Sequence, residues 1–340
     1  MPKTIRNIFY TKLTLEKLLS AHYRAKRNKT SKKEIILFEI DLETNITNLY
    51  NNLRKKRYKV GKYKIIVIHE PKERIIKSLP YPDRVIHQWY IEEFIKPFIV
   101  PRFIKDTYAC IIDRGTHRAV QVLQGYMRVM KRTYGNYYII KCDIKKFFYN
   151  IDKNILYSLM EKYIKDKDLL YLTHAMIFDE ENVPVGIPIG NFTSQYFANI
   201  YLNELDYYVK EELKIKYYVR YMDDFVLLVT DKEEAKAILL LIREYVNKFL
   251  KLELNQKSRY YPNSMGVNFC GYRIFETHRL LRTNSKQKIK NKIRKWHKLK
   301  IKGRLDREKM RLQWNSWVAH ANHANTYNLQ ERMLDKKNKL

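Results

Sequence analysis

Residues 217–229 read YYVRYMDDFVLLV. Aromatic and β-branched residues dominate both arms of this stretch, which predicts two strands. Between the arms stand two carboxylates, Asp223 and Asp224. Neighbouring side chains of a straight strand point to opposite faces, so adjacent acids serve one site only where the chain turns. The economical reading is a β-hairpin with the acids at its tip. Two carboxylates ~4 Å apart repel by about 4 kcal/mol at an effective dielectric near 20. A hard divalent cation that takes oxygen ligands, Mg²⁺ first among them, offsets that repulsion. An exposed Asp-Asp turn accounts equally well for the dipeptide alone.

A second stretch weighs against the plain turn. Residues 137–148 read YYIIKCDIKKFF, and Asp143 ends another strand pattern. An acid on one strand end, facing an acid pair on a hairpin, is the layout for two metals. Such a pair, ~3.5–4 Å apart, activates an attacking hydroxyl and stabilises the leaving oxygen of an in-line phosphoryl transfer. Strand, acid, helix, then strand-acid-acid-strand predicts a small antiparallel sheet with helices on one face, an α+β fold.

Composition narrows the partners. The chain has 340 residues, 45% of them hydrophobic, enough for a sizeable core or two or three subdomains. Its net charge of +31 costs self-repulsion unless a polyanion relieves it. Nucleic-acid phosphates are the expected polyanion. The 28 tyrosines and 14 phenylalanines add surfaces on which bases stack. The cysteines, Cys110, Cys142 and Cys270, are odd in number and form no CxxC, so neither a disulfide frame nor a zinc knuckle is indicated. His320 and His323 lie three apart without a Cys or acidic companion and indicate no metal site. The longest apolar runs, such as AILLLI at 237–242, are far short of a membrane span. The N-terminal MPKTIRNIFYTKLTLEK lacks the continuous apolar stretch of a secretory signal, so a cytoplasmic location is expected.

YMDD at 221–224, with Asp143 upstream, resembles the catalytic core of reverse transcriptases. Further segments follow in the family's order: PKERIIKSLPYPDRVIHQ at 71–88, KCDIKKFFYNID at 141–152, GIPIGNFTSQYFANIYLNELD at 186–206, LELNQKS at 252–258 and FCGY at 269–272. FIKDTYACIIDRGTHRA at 103–119, IGNFTSQ at 189–195 and SWVAHANHANTYNLQ at 316–330 resemble the branch found in diversity-generating retroelements. Ile112-Asp113-Arg114, where that branch tends to be more basic and glycine-rich, and Cys270, where many members have Leu, depart from it. The length is expected to leave no room for an RNase H, endonuclease or maturase segment.

The resemblance implies a right-hand polymerase with an antiparallel-sheet palm, mostly helical fingers and a helical thumb. N-terminal helices and fingers are expected over 1–134, the palm over 135–279 with fingers-type helices at about 153–182, and the thumb over 280–340. It implies RNA-templated, error-prone DNA synthesis, with misincorporation opposite template adenines. Asp143, Asp223 and Asp224 are the implied ligands of two Mg²⁺ ions, with Mn²⁺ as a substitute, and Lys257 the implied acid for the leaving pyrophosphate. Phe148, five residues after Asp143, would close off space for a 2′-hydroxyl and so favour deoxynucleotides. Lys72 and Arg74 flank a turn between strands at 63–69 and 74–79, where cations can fold over a triphosphate. Ile189 stands where other reverse transcriptases carry a glutamine near the incoming nucleotide, and losing that polar check lowers discrimination. Gly190 would let backbone approach the nascent base pair. Ser194, Gln195, Tyr221 and Met222, with Cys270, Gly271 and Tyr272 of the primer grip, would contact template or primer, and Arg84 has either a structural role or a template contact. Implied partners are a template RNA, the RNA/cDNA duplex, dNTPs and a small basic accessory variability protein. Retron or phage-defence reverse transcriptases, and a non-catalytic RNA-binding scaffold, remain open on these residues.

In KQKIKNKIRKWHKLKIK at 286–302, Ile289, Ile293 and Trp296 make one apolar stripe amid basic residues. This predicts a thumb helix that tracks a duplex backbone, or a solvated charged helix.

Overall fold

A computed structural model describes residues 4–69, 73–180 and 183–338. Among them, nine strands form three antiparallel sheets and most of the rest is helical, so the α+β class holds. The chain divides into two compact units. One comprises Met1–Ile111, Ile144–Glu212 and Leu241–Asn255; the other comprises Ile112–Asp143, Leu213–Leu240 and Gln256–Leu340.

The first unit carries the hairpin of β1 (Lys64–Ile68) and β2 (Arg74–Ser78), in register from Lys64↔Ser78 to Ile68↔Arg74. Its helices include Leu15–Lys26, Tyr81–Tyr90, Lys153–Tyr163, Lys167–Ile177 and Phe192–Tyr207. Phe197, Tyr201 and Leu205 are buried on the last of these, as their helical spacing predicts. Asp166 caps the helix Lys167–Ile177 by accepting from the amides of Asp168 and Leu169. The same carboxylate accepts from the amides of Ile8 and Phe9 at 2.8 and 2.9 Å, which pins the N-terminal segment. A buried acid is thereby fully engaged rather than stranded.

The second unit is built on four strands: β3 (Tyr138–Asp143), β4 (Tyr217–Tyr221), β5 (Asp224–Val229) and β6 (Arg259–Pro262). They run antiparallel in the order β4-β5-β3-β6. The helix Thr116–Tyr134 packs on β4 and β5. Ile139, Ile140, Phe225, Val226 and Leu227 are fully buried, which explains why both strand sequences are nearly continuous apolar runs. A smaller sheet follows, formed by β7 (Val267–Phe269), β8 (Tyr272–Ile274) and β9 (Arg279–Leu281). The C-terminal helices Thr283–Ile301, Arg307–Ala321 and Tyr327–Asn338 share a separate apolar cluster. In it Ile289, Ile293 and Trp296 meet Trp314 and Met333. Burial of such side chains contributes roughly 1.5–3 kcal/mol each. No described helix is long and apolar enough to cross a membrane.

Candidate active site

The acid-bearing hairpin forms where the strand patterns predict it. Tyr221 pairs with Asp224, so Met222 and Asp223 are the two loop residues of the β4–β5 turn. Met222 has φ 58°, a left-handed conformation that an L-residue adopts at a cost of roughly 1–2 kcal/mol. Positive φ at the first loop residue is the pattern that suits the right-handed twist of paired strands. A second contact holds the turn: Arg220, fully buried, donates from Nη1 to the Met222 carbonyl at 3.0 Å.

On the neighbouring strand, Asp143 is the register partner of Asp224. Directly opposed residues share a face, with Cβ atoms about 4.5–5.5 Å apart, a span that one shared ion bridges. Asp223 lies one residue away at the tip, and all three acids are half-buried. The backbone of Asp143 is itself held, because its amide donates to Ser258 Oγ at 3.2 Å.

Lys141 stands two residues before Asp143, hence on the same face of β3. Its ammonium pairs with Asp224 and lies 5.4 Å above the Phe269 ring. Burial pushes its pKa down to about 8, while Asp143 and Asp223 act in the opposite direction. The donor set is carboxylate oxygen, which suits a hard divalent cation such as Mg²⁺. Among the described residues no three His, Cys, Asp or Glu side chains form a ready metal cluster. Lys141 adds positive charge on this face.

Other expected positions in this unit fall as follows. Tyr221 and Met222 are half-buried at the hairpin. Lys257 is exposed in the turn that leads into β6, next to Ser258. Cys270 and Gly271 form the β7–β8 turn and are partly exposed. Tyr272 is completely buried, so it offers no surface for the expected contact with primer or template. Period-2 alternation turns its ring inward with Ile274, while Arg273 faces solvent.

The first unit holds the remaining expected residues. Arg74 is exposed at the start of β2, whereas Lys72 lies outside the described residues. Phe147 is core and Phe148 half-buried, their rings in edge contact at 5.6 Å. The Ile189 carbonyl accepts from the Lys77 amide at 2.9 Å. Gly190, φ 118°, does admit a close backbone approach, but from β2: an added Cβ would lie 2.8 Å from Ile76 Cγ2 and 3.1 Å from the Lys77 carbonyl.

The hydrogen bonds of Arg84 fit the structural role open to it, and Ser194 offers no surface for the expected contact. Arg84 is committed to the protein: its guanidinium donates to Glu34, to Ser78 Oγ and to the Leu79 carbonyl. Ser194 is buried, because helical spacing turns it inward beside Thr193 and Phe197. Gln195 is exposed and accepts from Cys110 Sγ at 3.3 Å. Lys141, Arg220 and Ser258 were missed from sequence, although a lysine two residues before Asp143 on the same strand and an arginine inside an apolar strand were both visible signals.

Comparison with known proteins bears on this arrangement. The chain is 26% identical to the COX1/OXI3 intron 2 protein of Saccharomyces cerevisiae, over 40% of this chain and 24% of that one. It is 22% identical to the group II intron-encoded protein LtrA of Lactococcus lactis, over 59% of this chain and 49% of that one. The chain therefore spans half or less of the length of these curated relatives. Among solved structures, telomerase from Candida albicans in complex with a telomeric RNA fragment superposes with TM-score 0.49 and 11% identity, over 71% of this chain and 51% of that one. The family model described as reverse transcriptase (RNA-dependent DNA polymerase) matches residues 54–274, a span that includes all three aspartates and the turn that presents two of them. By that match, the chain belongs to the reverse transcriptase family.

Proposed function

We propose that this protein is an RNA-directed DNA polymerase of the diversity-generating retroelement branch, copying a dedicated template RNA with low fidelity at adenines. The observation that carries the polymerase reading is the pairing of Asp143 with Asp224 across β3 and β5, with Asp223 at the adjoining tip. Asp143, Asp223 and Asp224 would hold two divalent cations, Mg²⁺ or in its place Mn²⁺. When bound, these supply activation of the primer hydroxyl and stabilisation of the leaving oxygen. Arg220 and Ser258 keep the carboxylate-bearing backbone in place, so little reorganisation is needed at the moment of reaction. Lys257, exposed on its turn, is the proton donor for pyrophosphate. Arg74 contributes charge to the triphosphate. Phe148 excludes the ribose 2′-hydroxyl.

The retroelement branch is supported by IGNFTSQ and by SWVAHANHANTYNLQ. Ile189 presents an aliphatic side chain that donates no hydrogen bond, so a mispaired nucleotide leaves no polar group unsatisfied there. The net charge of +31 supports binding of RNA and of the RNA/cDNA duplex. The small basic accessory protein belongs to the same proposal. The intron-encoded relatives favour a second reading, a reverse transcriptase of another branch that copies accurately.

One experiment separates these readings. The protein is purified with and without the product of its genomic neighbour, given the flanking RNA, dNTPs and Mg²⁺, and the cDNA is sequenced. Errors concentrated at template adenines, reduced in Ile189→Gln, support the retroelement reading. Accurate cDNA favours the second reading. Absence of cDNA under all conditions, or an Asp223→Ala protein that extends primers at the normal rate, overturns polymerisation at this site.

A further inference from the structure

The turn between β7 and β8 is held from a distant part of the chain. Cys270 and Gly271 both have positive φ, 45° and 91°, the two-residue pattern of a tight hairpin turn. Tyr272 follows immediately and is fully buried. Its hydroxyl lies 2.9 Å from Nδ1 of His320 and donates to the His320 carbonyl at 3.0 Å. A phenol has one proton, so with that proton on the carbonyl, Nδ1 must donate to the hydroxyl oxygen. The imidazole also packs on the turn itself: a Cβ on Gly271 would lie 3.3 Å from its Cε1. Gly271 is favoured by its φ, and the ring above it leaves a side chain there little room.

The segment around His320 makes further attachments, to the same small sheet and to the helix Thr116–Tyr134. Asn325 and Arg279 exchange two hydrogen bonds, Asn325 N to the Arg279 carbonyl at 2.8 Å and Arg279 N to Asn325 Oδ1 at 3.0 Å. His323 stacks on His117 with ring centroids 3.5 Å apart. Arg279 donates to Gln124, whose amide donates to the Phe275 carbonyl. A phenylalanine at 272 would fill the same core volume without needing a polar partner. The hydroxyl therefore serves direction rather than burial, because a buried hydroxyl is tolerated only where a partner stands ready.

We propose that His320 is a positioning residue, which fixes the Cys270–Gly271 turn through Tyr272 and so lets the 320–325 segment of the thumb set the place of the primer terminus. The proposal rests on the reading of 269–272 as the segment that holds the primer end. Displacement of a reacting end by about 1 Å costs on the order of 100-fold in rate, and a loosened turn reaches part of that.

The test is single-turnover nucleotide addition on a DNA primer annealed to RNA, with the full chain and saturating dNTP. Tyr272→Phe, His320→Ala, their double variant and His320→Asn are compared, each with a duplex Kd and a melting curve. Tyr272→Phe and His320→Ala are each expected to slow addition about tenfold, with duplex affinity held within about twofold. The double variant is expected to be no slower than either single one, since both remove the same bond. His320→Asn, whose amide stands where Nδ1 stands, is expected to restore most of the rate. Unchanged addition in Tyr272→Phe and His320→Ala, beside an active wild type, overturns the positioning role alone. So does a rate loss that follows melting temperature and is not rescued by Asn. A wild type that extends no primer overturns the polymerase reading, and this proposal with it.

Discussion

Replacing Arg220 with methionine tests how the acid-bearing turn is held. The guanidinium is fully buried and donates to the carbonyl of Met222, the residue with φ 58°. The left-handed conformation costs roughly 1–2 kcal/mol. A hydrogen bond from a charged donor contributes about 1.5–3 kcal/mol and outweighs that cost. Methionine retains much of the packing volume and carries no charge, so Arg220→Met removes the tether to the Met222 carbonyl. If the loss of about 1.5–3 kcal/mol falls on the population of the competent turn, primer extension slows roughly 10- to 150-fold, at 1.36 kcal/mol per decade. Adding Met222→Gly should return about 1 kcal/mol, near fivefold, because glycine adopts positive φ without a β-carbon penalty. Single-nucleotide extension at saturating primer-template reads the rate, and thermal melting verifies the fold. Arg220→Met at wild-type rate refutes the argument. So does a Met222→Gly effect that is the same in both backgrounds.

Three further outcomes follow from other parts of the structure. His87 is buried, hydrogen-bonded through Nδ1 to Thr193 Oγ1 at 2.8 Å, and burial lowers its pKa from 6.5 to about 3. Between those values the unfolded chain binds a proton there that the folded chain refuses. Stability should thus be complete above pH 6.5 and fall with acid by about 1.4 kcal/mol per unit. His87→Asn should lose that part of the slope in urea titrations, and an identical slope contradicts the assignment. Lys153 and Asp179 form an ion pair at 2.9 Å with both side chains 1% exposed. Asp179→Asn should cost about 3–5 kcal/mol by leaving a buried ammonium unpaired, whereas Lys153→Met with Asp179→Leu should cost less, about 1–3 kcal/mol for the Tyr63 hydroxyl that loses its acceptor. Equal losses in the single and double variants would contradict this. Gly190→Ala should destabilise by about 1–3 kcal/mol, since φ 118° disfavours a side chain and the Lys77 carbonyl cannot retreat cheaply. Hydrogen exchange at the Lys77 amide should accelerate, and unchanged protection there speaks against the predicted clash.

The local parts of the site were legible because their signals are local. The β4–β5 hairpin announces itself by two apolar strands around two acids, and Asp143 by its place at a strand end. The stripe of Ile289, Ile293 and Trp296 marked the buried face of its helix, since helical periodicity needs no knowledge of the partner. What covers that stripe, Trp314 and Met333, could not be read from it. Arg84 stayed ambiguous and Ser194 looked available for the same reason: a cation or a hydroxyl looks free until its neighbours are known. Glu34, fifty residues from Arg84, decides the first case, and the inward face of a helix decides the second.

From the residues alone came the strand and helix periods, the acid-bearing turn, the order of the family's segments and the basic charge. Only the folded chain decided that Asp224 is the register partner of Asp143, that Lys141 pairs with Asp224, that Arg220 steadies Met222 and that Tyr272 leans on His320. Periodicity is written in neighbours three or four residues apart at most. A hydrogen bond or ion pair between distant residues depends on strand register and helix packing, which the whole core sets together.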